Sequence, residues 1–380
     1  MNKQKICIIG DGLAGLTAAI MLSKENLKIE LYSNNENKKS LDNRTTAISE
    51  SNYQYIKKNL SFNKHGFFWP CKKINLFFED NEKIINFLNF EEKKKHLMYI
   101  FKNKDLKKKL DKIISKTKNI KIIKKNIKDI NNEEGFIRFA KKKIFYDLII
   151  LSVGARSRLY MKIEDGRSIE KNYEEIALTA VINHSTRIEN VSQFFLKEGP
   201  LAILPFQKKK FSIVWSVCNE FFNINKKNIK KILSEKLRIL LKTKSIKNIE
   251  NLQSFPINLN LKTKYFKKNV LILGDGLHTV HPMAGQGFNL VLRDIKKLKE
   301  LMSNVLKLGL LIKDSFILED FYNSRKPENN LFGIGINFTN IFFKNKKYFS
   351  LLKKGILTNI SKFSFIKKIS QSVSDRGILF

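Results

Sequence analysis

At 380 residues the chain is long enough for two lobes and a large core, and 43% hydrophobic content with 30 Phe excludes a disordered chain. Its 72 Lys and Arg against 35 Asp and Glu leave a net charge of +37, yet the lysines are spread through nearly every segment and no binding module accompanies them, so the expected partners include no nucleic acid. Three widely spaced cysteines, Cys7, Cys71 and Cys218, carry no metal-ligand spacing, a signal peptide is lacking, and no apolar run reaches the roughly 18 residues of a membrane span, which predicts a cytoplasmic protein without a metal site.

The first predicted element is a short apolar strand over residues 5–9. It runs into Gly10-Asp11-Gly12-Leu13-Ala14-Gly15, then an Ala/Leu-rich helix to about Lys24. The spacing is G-x-G-x-x-G: Gly10 makes the turn, Gly12 lets the backbone approach a pyrophosphate, and Gly15 allows close packing of helix on strand. The second strand, residues 28–32, should end in an acidic residue for the adenosine ribose, but Ser33 takes that place and Glu30 sits within the strand. Ser33 is thus the candidate, weaker ribose contact.

Residues 69–90 alternate apolar and polar, as in Ile74, Leu76 and Phe78, and predict antiparallel strands at the edge of a second lobe. A helix is predicted over residues 96–117, with Leu97, Ile100, Phe101, Leu106, Leu110 and Ile113 on its apolar face. Strands near 120–123, 136–139 and 144–146 lead to the buried run 147–151, which ends in Ser152-Val153-Gly154-Ala155-Arg156-Ser157. Residues from about 167 to 260 should form most of the second lobe. There Phe206 and Trp215 are candidate lining for an apolar pocket, although each taken singly reads more simply as strand core.

The apolar run 269–273 has the length of a buried parallel strand and delivers Asp275 to the carboxyl edge of a sheet. The chain then turns through Pro282, Gly285 and Gly287 and enters a helix from Phe288, with Leu290, Leu292, Ile295 and Leu298 among its apolar positions. The start of that helix carries about half a positive charge, which suits a phosphate or a flavin ring that becomes anionic on reduction.

The stretch Gly274 to Asp294, GDGLHTVHPMAGQGFNLVLRD, resembles the second flavin fingerprint of the class A flavoprotein monooxygenases, and within them the ubiquinone-biosynthesis hydroxylases. It keeps Gly274, Asp275, His278, His281, Pro282, Ala284, Gly285, Gln286, Gly287, Asn289, Arg293 and Asp294, and departs with Gly276 and Leu277 in place of two alanines. The segment from Asp42 to Ser49 resembles that branch's Asp-x-Arg-x-x-Ala-Leu-Ser, and the piece from Gly199 to Pro205, with Val214-Trp215, is similar to two of its strands. The 152–157 segment resembles Ala-Asp-Gly-Ala-Arg-Ser with Val153 replacing the aspartate. Residues 316–325 match a Leu, Tyr, Arg signature loosely, through Leu318, Phe321 and Arg325; taken alone they read as a helix with Phe321 inward and Arg325 in water.

The resemblance implies an α/β fold: a Rossmann-like FAD-binding lobe of residues 1–68, 91–165 and 261–330, a β-sheet substrate lobe of 69–90 and 166–260, and C-terminal helices over 331–380. It implies FAD, reduced by NAD(P)H and used with O2 to hydroxylate a membrane-embedded polyprenyl phenol in ubiquinone biosynthesis. The cofactor-binding residues would be Gly10, Gly12, Leu13, Ala14, Gly15, Ser33, Arg44, Gly274, Asp275, Gly285, Gln286, Gly287 and Asn289, with Arg44 against the flavin and its phosphates and Asp275 on the ribityl chain. Pro282 would sit nearest the reacting flavin, and His281 could polarise the phenol, although a structural histidine is the simpler reading. The basic, apolar stretch 341–380 adds peripheral contact with an inner-membrane surface, or with a biosynthetic complex, to the expected partners. Two further readings stand beside this one. Another FAD oxidoreductase, such as a prenyl reductase, would share the FAD lobe; a halogenase signature is absent, since Trp69 and Trp215 stand alone. A non-catalytic accessory protein would accommodate Ser33, Val153 and the Gly276-Leu277 pair.

Overall fold

A computed structural model describes residues 3–33, 42–60, 66–81, 83–93, 95–139, 142–155, 157–163, 168–186, 188–243, 246–344 and 364–377. The runs ICII, LIIL and VLI are apolar throughout, as strands covered on both faces must be. They belong to a six-stranded sheet in the order Phe266–Lys267, Val270–Ile272, Leu148–Leu151, Gln4–Ile9, Leu27–Ser33, Ile120–Lys124. All neighbours are parallel except the first pair. Strand order reverses at Gln4–Ile9, whose sequence neighbour lies on one side and Leu148–Leu151 on the other. A crevice therefore opens at the carboxyl ends of these strands, where ligands of doubly wound sheets sit. Helix Leu13–Leu22 packs there between Asn103–Ile114 and Gly287–Lys307.

The second sheet has eight strands, in the order His278–Thr279, Ile246–Lys262, Ser168–His184, Lys210–Cys218, Gly199–Gln207, Val191–Leu196, Lys73–Asp80, Lys83–Glu91. One face carries Leu178, Ile182, Phe211 and Trp215 against helices Asn219–Asn225 and Ile229–Leu241. The other face looks toward the crevice. The expected edge hairpin is present in Lys73–Asp80 and Lys83–Glu91, whereas Trp69–Cys71 joins a separate three-stranded sheet with Met98–Lys102 and Thr45–Ser49.

That small sheet corrects the predicted helix over 96–117. The helix is Asn103–Ile114, and Met98–Lys102 before it is a strand. Its Tyr-Ile-Phe core favours a pleated surface, and pairing on both sides outweighs the apolar spacing that suggested a longer helix. In the last turn of the long helix Ile317–Lys344, Phe343 stacks on Phe195 at 3.6 Å between ring centroids. Tyr348, Phe349, Leu351, Leu352 and the lysines at 346, 347, 353 and 354 lie outside the described residues, as does Arg156. Helix Ser364–Arg376 closes the described chain and lies along the crevice.

Candidate functional site

The first glycine turn is built by close approach. Gly10 has φ +116°, and a Cβ there would stand 2.1 Å from the Ser152 carbonyl oxygen; one on Gly15 would stand 2.0 Å from the Gly10 oxygen. Gly12 differs, with no atom within 4 Å of an added Cβ. It opens onto the crevice and caps helix Leu13–Leu22 without any side-chain cap bond, so the first amides of that helix stay available. Lys107 holds the turn from outside by donating to the Asp11 carbonyl at 2.7 Å.

The second turn repeats the device. Gly287 begins helix Gly287–Lys307, no atom lies within 4 Å of its added Cβ, and the preceding Gln286 makes no side-chain cap bond. Gln286 Oε1 is buried without a partner at the crevice wall. Asn289, almost fully buried, spends its amide internally: Oδ1 accepts from Ser49 N at 2.9 Å and Asn52 Nδ2 at 2.8 Å, while Nδ2 donates to Gly285 O at 3.1 Å and Ala47 O at 3.2 Å. It fastens the turn to strand Thr45–Ser49. Arg44 stands before that strand, forked onto Asp42 by Nε at 2.8 Å and Nη2 at 2.9 Å, and over the Phe255 ring. The hydrogen bonds it donates to Asp42, helped by the charge of Asp275, hold its guanidinium firmly charged against the pull of burial.

These features share one cleft of about 1810 Å³. Of the residues expected from the sequence, it brings together Gly12, Leu13, Ala14, Arg44, Asp275, Pro282, Gly285, Gln286, Gly287 and Asn289. Gly10, Gly15, Ser33, Gly274 and His281 are not among the lining residues. The eight-stranded sheet adds apolar Ala177, Val181, Leu204, Val214 and Ile257 beside polar Thr179, Gln193, Gln253 and Asn258, and the C-terminal helix adds Gln371, Ser372 and Asp375. A long polyanionic ligand with a flat ring fits this set. Two uncapped helix starts and two glycines with open Cβ positions face the same space, Arg44 stands beside it paired with Asp42, and the unpartnered Gln286 Oε1 offers an acceptor to a ring N–H.

Several expectations need correction. Phe206 and Trp215 do not line the cleft: Trp215 is fully buried on the opposite face of its sheet, and Phe206 sits under Lys102. Strand alternation turns Val214 inward in place of Trp215, whereas Leu204 lines the cleft and Phe206 lies past it, where the strand pairing shifts register between Pro205 and Gln207. Arg325 is buried and not in water, donating from Nε to Asp294 Oδ1 at 2.6 Å and bonded to Glu328. Phe321 packs inward as expected. Glu30 is bonded by Tyr32 and Tyr146 and paired with Lys5 at 3.3 Å.

His281 is fully buried with both ring nitrogens engaged. Nδ1 accepts from Met283 N at 3.2 Å, which leaves the proton on Nε2, and Nε2 donates to Glu175 Oε2 at 2.8 Å. In this geometry neither nitrogen is free to polarise a substrate. Glu175 also takes Lys344 Nζ at 2.6 Å and Asn340 Nδ2 at 3.3 Å. Burial alone would raise its carboxyl, but the bonds from His281 and Lys344 hold it down to about 2. Sequence reasoning missed Glu175; the available signal was a carboxylate directly before the mostly apolar run IALTAVI.

The Gly276 departure has a local cause. A Cβ at Gly276 would stand 2.1 Å from Tyr160 Cζ, so the glycine leaves room for the Tyr160 ring behind the Asp275 turn. Val153 is half-buried against the nucleotide-lobe core between cleft-lining Ser152 and Gly154.

Two family models match the chain, an FAD binding domain over residues 149–309 and a pyridine nucleotide-disulphide oxidoreductase over residues 4–214. The Dictyostelium discoideum protein named ubiquinone biosynthesis monooxygenase COQ6, mitochondrial, is 23% identical over 463 aligned positions, covering 98% of this chain and 91% of that one. The Rhodospirillum rubrum ubiquinone hydroxylase UbiL is 25% identical over 166 residues, 42% of this chain and 38% of its own length. Among solved structures, p-nitrophenol 4-monooxygenase PnpA from Pseudomonas putida superposes with a TM-score of 0.78, covering 99% of each chain at 13% identity, which speaks to the fold alone.

Proposed function

The chain belongs to the pyridine nucleotide-disulphide oxidoreductase family and is a class A FAD-dependent monooxygenase of the ubiquinone-biosynthesis branch; from that premise we propose that it hydroxylates the ring of a polyprenyl phenol using NAD(P)H and O2. The observation that carries the reading is the convergence of two uncapped helix starts on a cleft that continues onto an apolar sheet face. FAD, when bound, supplies the redox chemistry and the oxygen transfer.

The protein's own part is to bind, orient and keep water out. Gly12, Leu13, Ala14 and Arg44 would hold the pyrophosphate, Asp275 the ribityl hydroxyls, and Pro282 with Gly285 to Gly287 the edge of the ring system. The amides that open helix Gly287–Lys307 would favour negative charge on that ring. Gly10, Gly15 and Gly274 shape the backbone behind these contacts, and Ser33, at the end of its strand, remains the candidate for the ribose. Ala177, Val181, Leu204, Val214 and Ile257 would receive the phenol and shield it from water. The division into an FAD lobe of 1–68, 91–165 and 261–330, a substrate lobe of 69–90 and 166–260, and C-terminal helices is part of the same reading.

Contact with a membrane surface belongs to the proposal too. Among the described residues no helix is long and apolar enough to cross a membrane. Leu331, Ile334, Phe338 and Ile341 nonetheless form an exposed apolar stripe on one face of helix Ile317–Lys344, which supports docking of this face to a bilayer surface. Co-sedimentation with anionic vesicles at low salt is the expected result, and its absence would count against docking.

The deciding experiment is the visible spectrum of the purified protein, followed by NAD(P)H oxidation with a prenylated phenol. Bound flavin and oxidation matched by hydroxylated product are expected. A colourless protein that releases added FAD on desalting would favour the non-catalytic accessory reading.

A further inference from the structure

We propose that Glu175 is a positioning residue for the flavin-facing turn: acting through His281, it sets where Pro282 and Met283 stand in the cleft wall and so how helix Gly287–Lys307 presents its first amides. The inference rests on the flavin reading above, since it assigns a residue of the sheet to the cofactor's turn. Glu175 itself does not line the cleft.

The contacts run in one line. Glu175 Oε2 accepts the His281 Nε2 proton at 2.8 Å, and this fixes the ring so that Nδ1 accepts the Met283 amide at 3.2 Å. That second bond caps the short 3-10 turn Pro282–Ala284, which Gly285 closes with its own amide on Pro282 O at 3.1 Å and φ +60°. Tyr173 meets the His281 ring edge to face at 5.1 Å, so the imidazole has little room to rotate. With the carboxylate removed, the buried Nε2–H would lose its acceptor, and the ring would have reason to flip or swing.

The sheet bends to supply this side chain. Glu174 takes φ +54°, a conformation residues with a side chain adopt rarely, and the pairing of Ser168–His184 with Ile246–Lys262 slips between Asn172 and Glu175. Strain of this kind, next to a functional turn, marks a side chain whose aim matters. The other carboxylate oxygen serves a different purpose. Oε1 takes Lys344 and Asn340 from helix Ile317–Lys344, which anchors that helix without touching His281. The two oxygens therefore separate the two roles, and variants can separate them experimentally.

The test compares Glu175→Ala, Glu175→Gln and Asn340→Ala by amide hydrogen exchange of the FAD-free protein and by FAD titration with the visible spectrum. Glu175→Ala should speed exchange at Met283 by roughly tenfold or more, weaken FAD binding by a similar factor and change the shape of the flavin bands. Glu175→Gln should restore most of this, because its carbonyl still accepts from His281. Asn340→Ala should leave both readouts near wild type. Wild-type exchange at Met283 in Glu175→Ala, or equal disturbance in Asn340→Ala, would overturn the inference. Should Glu175→Ala not fold, Glu175→Asp, which withdraws the acceptor by one methylene, takes its place with the same expected direction. A wild-type protein that binds no flavin would sink the functional reading, while the exchange comparison would still decide the role of Glu175.

Discussion

His278 and His281 lie three residues apart, both are buried, and both give Nε2 to a carboxylate, yet they tie the turn to different halves of the molecule. His278 meets Asp294 at 2.6 Å, and Asp294 is held in turn by Arg325 and by Asn329 Nδ2 at 3.2 Å, all behind the cleft in the nucleotide lobe. His281 reaches across to Glu175 on the eight-stranded sheet. Burial would raise the Asp294 carboxyl, but Arg325 and His278 keep it below the ordinary carboxylate range. One histidine thus roots the turn and its neighbour aims it.

The largest effect should come from cutting the root. Arg325→Met leaves Asp294 and Glu328 buried with a cation withdrawn, and should cost about 3–5 kcal/mol in urea unfolding. A loss under about 1 kcal/mol would mean the network is dispensable.

Acid should strike the aimed side next. The folded-state pKa of Glu175, about 2, lies below its ordinary value of 4.5, so its contribution is full above about pH 4.5 and disappears as pH falls toward 2. That contribution is on the order of 3 kcal/mol. The stability gap between wild type and Glu175→Gln should therefore shrink as pH falls through that window. A constant gap would contradict the ion-paired state.

Gly276→Ala probes the ground between the two histidines and the first turn. Its Cβ would press on Tyr160, and the expected cost is about 1–3 kcal/mol in thermal or urea unfolding. Adding Tyr160→Leu should return part of it, and a double-mutant cycle without coupling would show that the ring is not the obstacle. The smallest effect belongs to the rim, where neither histidine reaches. Asp375 Oδ1 accepts the Ser51 amide at 2.8 Å near the start of helix Glu50–Leu60, so Asp375→Ala should cost about 1 kcal/mol and speed proteolysis of the C-terminal helix.

What was legible in the sequence was what local spacing dictates. The G-x-G-x-x-G turn, the apolar parallel strands and the glycines before the long helix follow from backbone geometry within a few residues, and they stand as read. Side chains whose role depends on a distant partner were not legible. Arg325 reads as solvated until Asp294 and Glu328 come beside it, and nothing near Glu175 in sequence announces His281. Met98–Lys102 has spacing that suits a helix, and only its pairing with Thr45–Ser49 and Trp69–Cys71 makes it a strand. Trp215 lies on the far face because each strand residue alternates, and which face meets the cleft is decided by packing.

The C-terminal helix has a kinetic consequence. Ser49 Oγ donates to the Asp375 carbonyl at 3.0 Å across a separation of 326 residues, and buried Arg293 donates to the Ser374 carbonyl at 2.8 Å. Contacts so remote in the chain repay their loop-closure entropy only after the sheets between them exist. During refolding, secondary structure should therefore recover before the cleft does. Flavin capture would report the last event and trail far-ultraviolet circular dichroism as a separate, slower phase.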